Sequence, residues 1–373
     1  MVKRRVVIVG AGTGGTIVAN QVARGDPDAE VTVVSSDAYH FYQPGLLYVP
    51  FGWVRPEALS RPQRSLLHPR VHFIHGTARS VDPARRTVHL EGEVLSADTL
   101  VLATGARLAP EEVPGLEGAH HFYTPDAALR LREALEEFRG GHIVVGVAGV
   151  PYKCPPAPLE FTLLLEWVLR RTGRRKGTRI TYISPLPRAF PIESVADVVE
   201  PLMERRGIEL VTFFNVERVD PGRRVVTSLE GEELSYDLLV LIPPHRGTVP
   251  VTVDGIADRG GWIRTDRETL EVKGYEGVFA LGDATDLPVS KSGSAAHYQA
   301  LVVSRRILSA SNGVIPKYTG KVMCFLETGE NRATLLRFDY NHPPKPARPN
   351  PVAFLLKRAF NRVYWHLVPT GRI

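Results

Sequence analysis

The sequence predicts an α/β fold built twice over: two dinucleotide-type domains, the second inserted in the first, and a C-terminal region with an amphipathic helix. Three observations predict it. A glycine-rich loop follows the first apolar strand, a strand-rich stretch recurs in the middle of the chain, and an apolar run closing on Gly282-Asp283 resumes the pattern of the first half.

Arg5-Val6-Val7-Ile8-Val9-Gly10 is rich in β-branched residues and runs into Ala11-Gly12-Thr13-Gly14-Gly15, after which Ile17, Val18, Gln21 and Val22 recur at helical spacing. This is strand, G-x-G-x-x-G, helix. Gly10 permits the tight turn, Gly12 lets the backbone approach a pyrophosphate, and Gly15 lets helix and strand pack closely, with helix N–H groups toward the phosphates. The next strand, Glu30 to Ser35, is expected to end in an acid for the ribose hydroxyls, but it ends in Ser35-Ser36-Asp37, leaving Ser35 as the candidate contact.

The repeat pairs Val81 through Leu102 with Val219 through Leu241: Val-Asp-Pro, then Leu-Glu-Gly-Glu, then an apolar strand. Each copy reads as a β-meander that returns to its sheet through a buried strand. The first copy ends in Ala103-Thr104-Gly105, small residues that let a backbone pass close to a cofactor. The second ends in Pro243-Pro244-His245-Arg246, whose prolines have no N–H to offer a phosphate. Downstream, Gly277 to Asp283 forms another buried strand, and Asp283, after Gly282, is placed to accept from a ribityl hydroxyl of a flavin. The expected division is 1–110 and 266–315 for the first domain, 111–265 for the inserted one, and 316–373 for the C-terminal region.

Superposing the copies sets Gly10, Gly12 and Gly15 against Gly146, Ala148 and Pro151. The second loop has lost two glycines and a donor, and its following strand, Ile180 to Ser184, also ends without an acid, so a nicotinamide site is not expected there. What the loop has gained is Cys154. Lys153 beside it, and the helical pattern from Leu159 to Leu169 behind it, both favour a thiolate, which makes Cys154 a candidate nucleophile. Glu160 is a candidate proton acceptor, the alternative being a solvated first-turn carboxylate.

A chain of 373 residues, 43% hydrophobic, can bury a large core. Its net charge of +6 comes from scattered basic residues without an aromatic-studded run, so nucleic acid is not an expected partner and a basic face toward acidic lipid is. Two cysteines are too few for a secreted disulfide scaffold. The first strand begins at Arg5, leaving no signal-peptide pattern, and no apolar run approaches the roughly 20 residues of a membrane span, so a peripheral protein on the cytoplasmic face is expected. In the tail, Leu355, Leu356, Ala359, Phe360, Val363 and Leu367 fall on one side of a helix, with Lys357, Arg358, Asn361 and Arg362 toward another. That helix is expected in a membrane interface, or packed on its own domain or on a second copy in a homo-oligomer.

Lys153-Cys154 with its prolines, Ile242-Pro243-Pro244, Gly282-Asp283, Lys291-Ser292-Gly293, His40-Phe41-Tyr42-Gln43-Pro44 and Tyr318 through Cys324 together carry a resemblance. Over nearly its whole length the chain resembles the sulfide:quinone oxidoreductases and the related flavoprotein subunit of flavocytochrome c sulfide dehydrogenase, flavoproteins with two Rossmann-like domains. The resemblance implies a bound FAD, sulfide as reductant and a membrane quinone as acceptor. It implies Cys154 and Cys324 as a redox pair flanking the flavin, Gln43 and Pro44 near it, and Lys291 near both flavin and quinone. It also implies an aromatic quinone pocket with Phe325, Phe354 and Phe360 as candidates. The chain lacks the cysteine that attaches the flavin in the flavocytochrome subunits, so FAD is expected to be non-covalent. A cytochrome acceptor, NADH as reductant, and a non-enzymatic flavin redox protein are the competing readings.

Overall fold

β-Branched and aliphatic residues dominate Arg5–Val9, Glu30–Ser35 and Thr99–Leu102, and these are strands of one sheet in the computed structural model, which describes residues 4–248, 255–309 and 316–372. The expected division at residue 315 lies outside the described residues. The sheet order is Val278–Ala280, Thr99–Leu102, Arg5–Val9, Glu30–Ser35, His72–His75, with every pair of neighbours parallel. Such strands are apolar throughout because both faces are covered. Helices Thr13–Gly25 and Gly293–Leu308 pack together on one face. Val7, Val9, Leu100 and Leu102 meet Val81 and Val88 of the meander on the other.

The second sheet, Ile208–Val211, Thr178–Ile183, Gly141–Val147, Leu238–Ile242, is also fully parallel. It is completed before Val278–Ala280 returns to the first sheet, so the second unit is an insertion in the first. Both copies of the repeat form three-stranded antiparallel meanders, at Ser80–Asp82, Thr87–His89, Val94–Ser96 and at Val216–Asp220, Val225–Ser228, Glu233–Ser235. The segments leaving the two buried strands, Ala106–Leu108 and His245–Gly247, pair antiparallel and stitch the units together.

The tail makes a hairpin, Val322–Gly329 with Arg332–Phe338, which packs on helix Pro156–Arg171 and on the terminal helix Pro351–Leu367. Asn350 caps that last helix, its Oδ1 accepting from Ala353 N at 2.9 Å, and Pro351 occupies the first turn. The orientation corrects the expected division into an apolar and a charged side. Lys357 and Tyr364 are buried, whereas Val352, Leu355, Leu356 and Val363 are 65%, 63%, 53% and 39% exposed. Arg358 and Arg362 are exposed beside them. The helix is turned with a polar stripe inward because that stripe has partners waiting, described below. Among the described residues no helix is long and apolar enough to cross a membrane.

Candidate flavin and dithiol site

The phosphate loop is built by close approach. Gly10 has φ +104°, and a Cβ there would lie 2.3 Å from the Ala103 carbonyl oxygen. A Cβ on Gly15 would lie 2.0 Å from the carbonyl oxygen of Gly10. At Gly12 and Gly105, by contrast, a Cβ would meet nothing within 4 Å, so the backbone there borders open space. Around that space three buried polar atoms have no protein partner: Thr104 Oγ1, Asp283 Oδ1 and Gln299 Nε2. Buried polar groups cost free energy unless they are paired. A dinucleotide with a polyhydroxylated arm supplies hydroxyls for such atoms and phosphates for the loop, so these residues fit FAD.

Ser35 ends its strand buried, with Oγ accepting from Asp37 N at 3.2 Å. Gln43 and Pro44 are exposed at the start of a short 3-10 turn, where Gln43 Oε1 accepts from Lys153 Nζ at 3.2 Å. Lys153 is a site residue that the sequence reading used only as a cation beside Cys154. Its charge, with that of Lys291, opposes the rise that burial imposes on the Asp283 carboxyl. Among the described residues no group of His, Cys, Asp or Glu is arranged to hold a metal ion.

Cys154 sits at φ +51°, a left-handed conformation that costs a non-glycine residue roughly 1–2 kcal/mol. Its surroundings enforce it. Cys154 N donates to the Lys291 carbonyl at 2.7 Å, Ala157 N donates to the Cys154 carbonyl at 2.8 Å, and the Tyr123 hydroxyl donates to the Lys153 carbonyl at 2.7 Å. Lys291 therefore anchors the cysteine loop through its backbone. Its ammonium donates to the carbonyls of Thr285 at 2.8 Å and Asp283 at 3.3 Å and lies 3.6 Å from the Trp262 ring centroid. Burial lowers its pKa to about 8 against the pull of Asp283, Asp258 and Asp286. The lysine thus faces the Asp283 side of the site.

Cys324 arrives on the hairpin strand that packs against the Cys154 helix. Both thiols are free and partly buried against the same core, and they border adjacent residues: Cys154 N donates to the Lys291 carbonyl, and the Ser292 side chain hydrogen-bonds Cys324. Their electrostatics correct the expected thiolate at Cys154. Burial pushes its pKa up, and Cys324 and Glu160 add to the rise. Burial likewise pushes Cys324 up to about 12. At Cys154 burial outweighs the opposing pull of Lys357 and of the Ala157 N–H of the first helical turn, while Lys153 Nζ is turned to Gln43.

Glu160 is not a solvated first-turn carboxylate; it is buried. It accepts from Lys357 Nζ of the terminal helix and from Glu327 N, at 2.6 Å, of the Cys324 strand. Lys357 Nζ also lies 3.3 Å from Glu327 Oε2, which accepts from the Tyr48 hydroxyl at 2.8 Å. One ammonium thus faces two carboxylates. Burial raises the Glu160 pKa, and the two carboxylates hold Lys357 well above its ordinary value. Lys357, which the sequence reading set on the outward charged side, is the cation of this cluster; the inward stripe Lys357, Asn361, Tyr364 is the spacing that could have signalled it.

The three aromatic candidates of the tail are spread along it. Phe325 is partly buried opposite Leu335 in the hairpin, Phe354 lies 5.9 Å below the Arg358 guanidinium, and Phe360 packs 6.4 Å from the Tyr364 ring.

Residues 4–300 match the family model described as pyridine nucleotide-disulphide oxidoreductase. The chain is 28% identical over 354 residues to the mitochondrial sulfide:quinone oxidoreductase of Mus musculus, covering 91% of this chain and 79% of that protein. It is 25% identical over 402 residues to the sulfide-quinone reductase of Aquifex aeolicus, covering 99% of this chain and 92% of that one. The X-ray structure of the sulfide:quinone oxidoreductase from Aquifex aeolicus superposes with a TM-score of 0.87 at 24% identity, over 99% of this chain and 92% of that chain.

Proposed function

Since the chain belongs to the pyridine nucleotide-disulphide oxidoreductase family, we propose that it uses a Cys154/Cys324 redox pair to oxidise sulfide and passes the electrons to a membrane quinone. It is an FAD-dependent oxidoreductase of the sulfide:quinone oxidoreductase branch. What supports the mechanism is that Cys154 and Cys324, from distant parts of the chain, both border Lys291-Ser292: the Lys291 carbonyl accepts from Cys154 N, and the Ser292 side chain hydrogen-bonds Cys324. Bound FAD supplies the two-electron acceptor between the cysteine pair and the quinone.

In the oxidised pair, hydrosulfide attacks one sulfur of the Cys154–Cys324 bond. An S–S bond forms to the incoming sulfur and the cysteine bond breaks, leaving a persulfide on one cysteine and the electron pair on the other. Glu160, whose carboxyl is raised by burial, holds or releases a proton beside that second sulfur. Gly10, Gly12 and Gly15 would shape the loop that holds the diphosphate, while Ser35, Gln43, Pro44, Ala103, Thr104, Gly105, Gly282 and Asp283 would line the rest of the cofactor. Lys291 positions the Cys154 loop through its carbonyl and the Asp283 backbone through its ammonium. The outward Leu355, Leu356 and Val363, flanked by Arg358 and Arg362, support contact with the surface of a membrane that holds the quinone.

Anaerobic addition of sulfide is expected to bleach the flavin absorbance, and quinone to restore it. Cys154→Ser and Cys324→Ser are each expected to retain FAD and lose sulfide-dependent bleaching; unchanged bleaching in both variants would refute the dithiol mechanism. NADH in place of sulfide is expected to leave the flavin oxidised, because Pro151 and Ala148 occupy the phosphate end of the second loop.

A further inference from the structure

The terminal helix closes a chain of hydrogen bonds that begins and ends on the phosphate loop. His40 Nδ1 lies 3.2 Å from the Ala11 carbonyl oxygen, His40 Nε2 lies 2.8 Å from Tyr364 Oη, and Tyr364 Oη lies 3.0 Å from Thr13 Oγ1. Chemistry fixes every direction. A carbonyl only accepts, so Nδ1 carries the ring proton; Nε2 then accepts from the Tyr364 hydroxyl, whose oxygen accepts from Thr13. His40 and Tyr364 are 2% and 5% exposed, and burial lowers the His40 pKa to about 4, so the neutral ring this chain requires is the form present at neutral pH.

Neighbouring contacts run the same way. The Tyr42 hydroxyl donates to Asn361 Oδ1 at 2.5 Å, one helical turn before Tyr364. Asn20 Nδ2 and Gln21 Nε2, on the helix behind the loop, donate to the carbonyls of Pro369 at 2.7 Å and Gly371 at 3.2 Å. The first helix and its loop therefore grip the end of the chain along its length, while the opposite face of the terminal helix presents Leu355 and Leu356 outward.

We propose that Tyr364 and His40 are positioning residues of the FAD site, through which seating of the terminal helix and retention of FAD are energetically linked. Ala11 and Thr13 flank Gly12, where the backbone borders the space for the diphosphate, and their positions are tied to each other through Tyr364. Linkage is reciprocal: whatever factor the seated helix adds to FAD affinity, FAD adds to the seating of the helix. The inference rests on FAD occupying the loop and is independent of sulfide as reductant and of the cysteine chemistry.

Tyr364→Phe removes the hydroxyl while keeping a ring against Tyr42, 4.3 Å away. Loss of two buried hydrogen bonds is expected to speed FAD release roughly tenfold, read as the rise of free-FAD fluorescence after dilution. His40→Phe should do the same. Trypsin cleavage after Arg358 and Arg362 reports unseating of the helix, and added FAD is expected to slow it in the wild-type protein and to slow it less in Y364F. FAD release unchanged in both variants, or cleavage of the wild-type helix indifferent to FAD, would overturn the linkage. A wild-type protein that takes up no FAD would overturn the cofactor reading itself, an outcome the same fluorescence trace distinguishes.

Discussion

Lys357→Met is the perturbation whose size the geometry fixes most closely. The variant leaves Glu160 and Glu327, 4% and 3% exposed, with no cation between them. A bare buried carboxylate is costlier than a protonated one, so the variant must hold one more carboxyl neutral than the wild-type protein does. An ordinary glutamate titrates at about 4.5. Keeping one protonated at about pH 7 therefore costs about 1.36 kcal/mol for each of about two and a half pH units, or about 3 kcal/mol. Methionine fills most of the volume of the lysine stem, so packing contributes little. Above about pH 4.5 the unfolded chain has released a proton that the native variant still binds, so the loss grows with pH by about 1.4 kcal/mol per unit and fades toward acid. Urea unfolding of both proteins from about pH 5 to about pH 7 measures this. Adding Glu160→Gln to the variant should recover part of the loss. A loss that is the same at every pH would refute the argument, since it would come from packing or from detachment of the helix.

Replacing Leu355 and Leu356 by Ser is expected to cut binding to anionic lipid vesicles at least tenfold, because each fully buried leucine contributes roughly 1.5–3 kcal/mol; flotation with intact circular dichroism checks it, and unaltered flotation would remove this face from the membrane contact. Acid should destabilise the protein as pH falls from about 6.5 through the native values of His40 and His245, about 4 and about 3, because unfolded histidine binds a proton that these buried rings refuse. His245→Phe should flatten that slope by about 1.4 kcal/mol per pH unit, and a slope unchanged in the variant would exclude His245 from the acid transition.

What the residues announced in advance was local. Gly10, at φ +104°, and Gly15, whose Cβ would strike the carbonyl oxygen of Gly10, must be glycine for reasons internal to one loop, and the Val-Asp-Pro and Leu-Glu-Gly-Glu repeat writes the same meander twice. The expectation of a thiolate at Cys154 failed because the cost of burial, which no sequence neighbour reveals, outweighs the favourable N–H of Ala157 in the first helical turn. Lys357 was misplaced for a different reason. Helical spacing assigns a charged residue to water by default, and only Glu160 and Glu327, brought over from two other elements, make burial the better place for it. The partnership of His40 with Tyr364 joins opposite ends of the chain and has no counterpart in any spacing rule.

The burial of Cys154 and Cys324 bears on the direction of electron flow through the proposed redox pair. A dithiol whose thiolate is stabilised holds its electrons firmly, and its disulfide is a strong oxidant. Here burial and the nearby Glu160 work against the thiolate, so a reduced pair would gain no such stabilisation. Two electrons taken from a sulfur substrate would then pass out of the pair toward the cofactor rather than pooling on the cysteines, and the bridge would re-form once the outer persulfide sulfur had left on a second hydrosulfide.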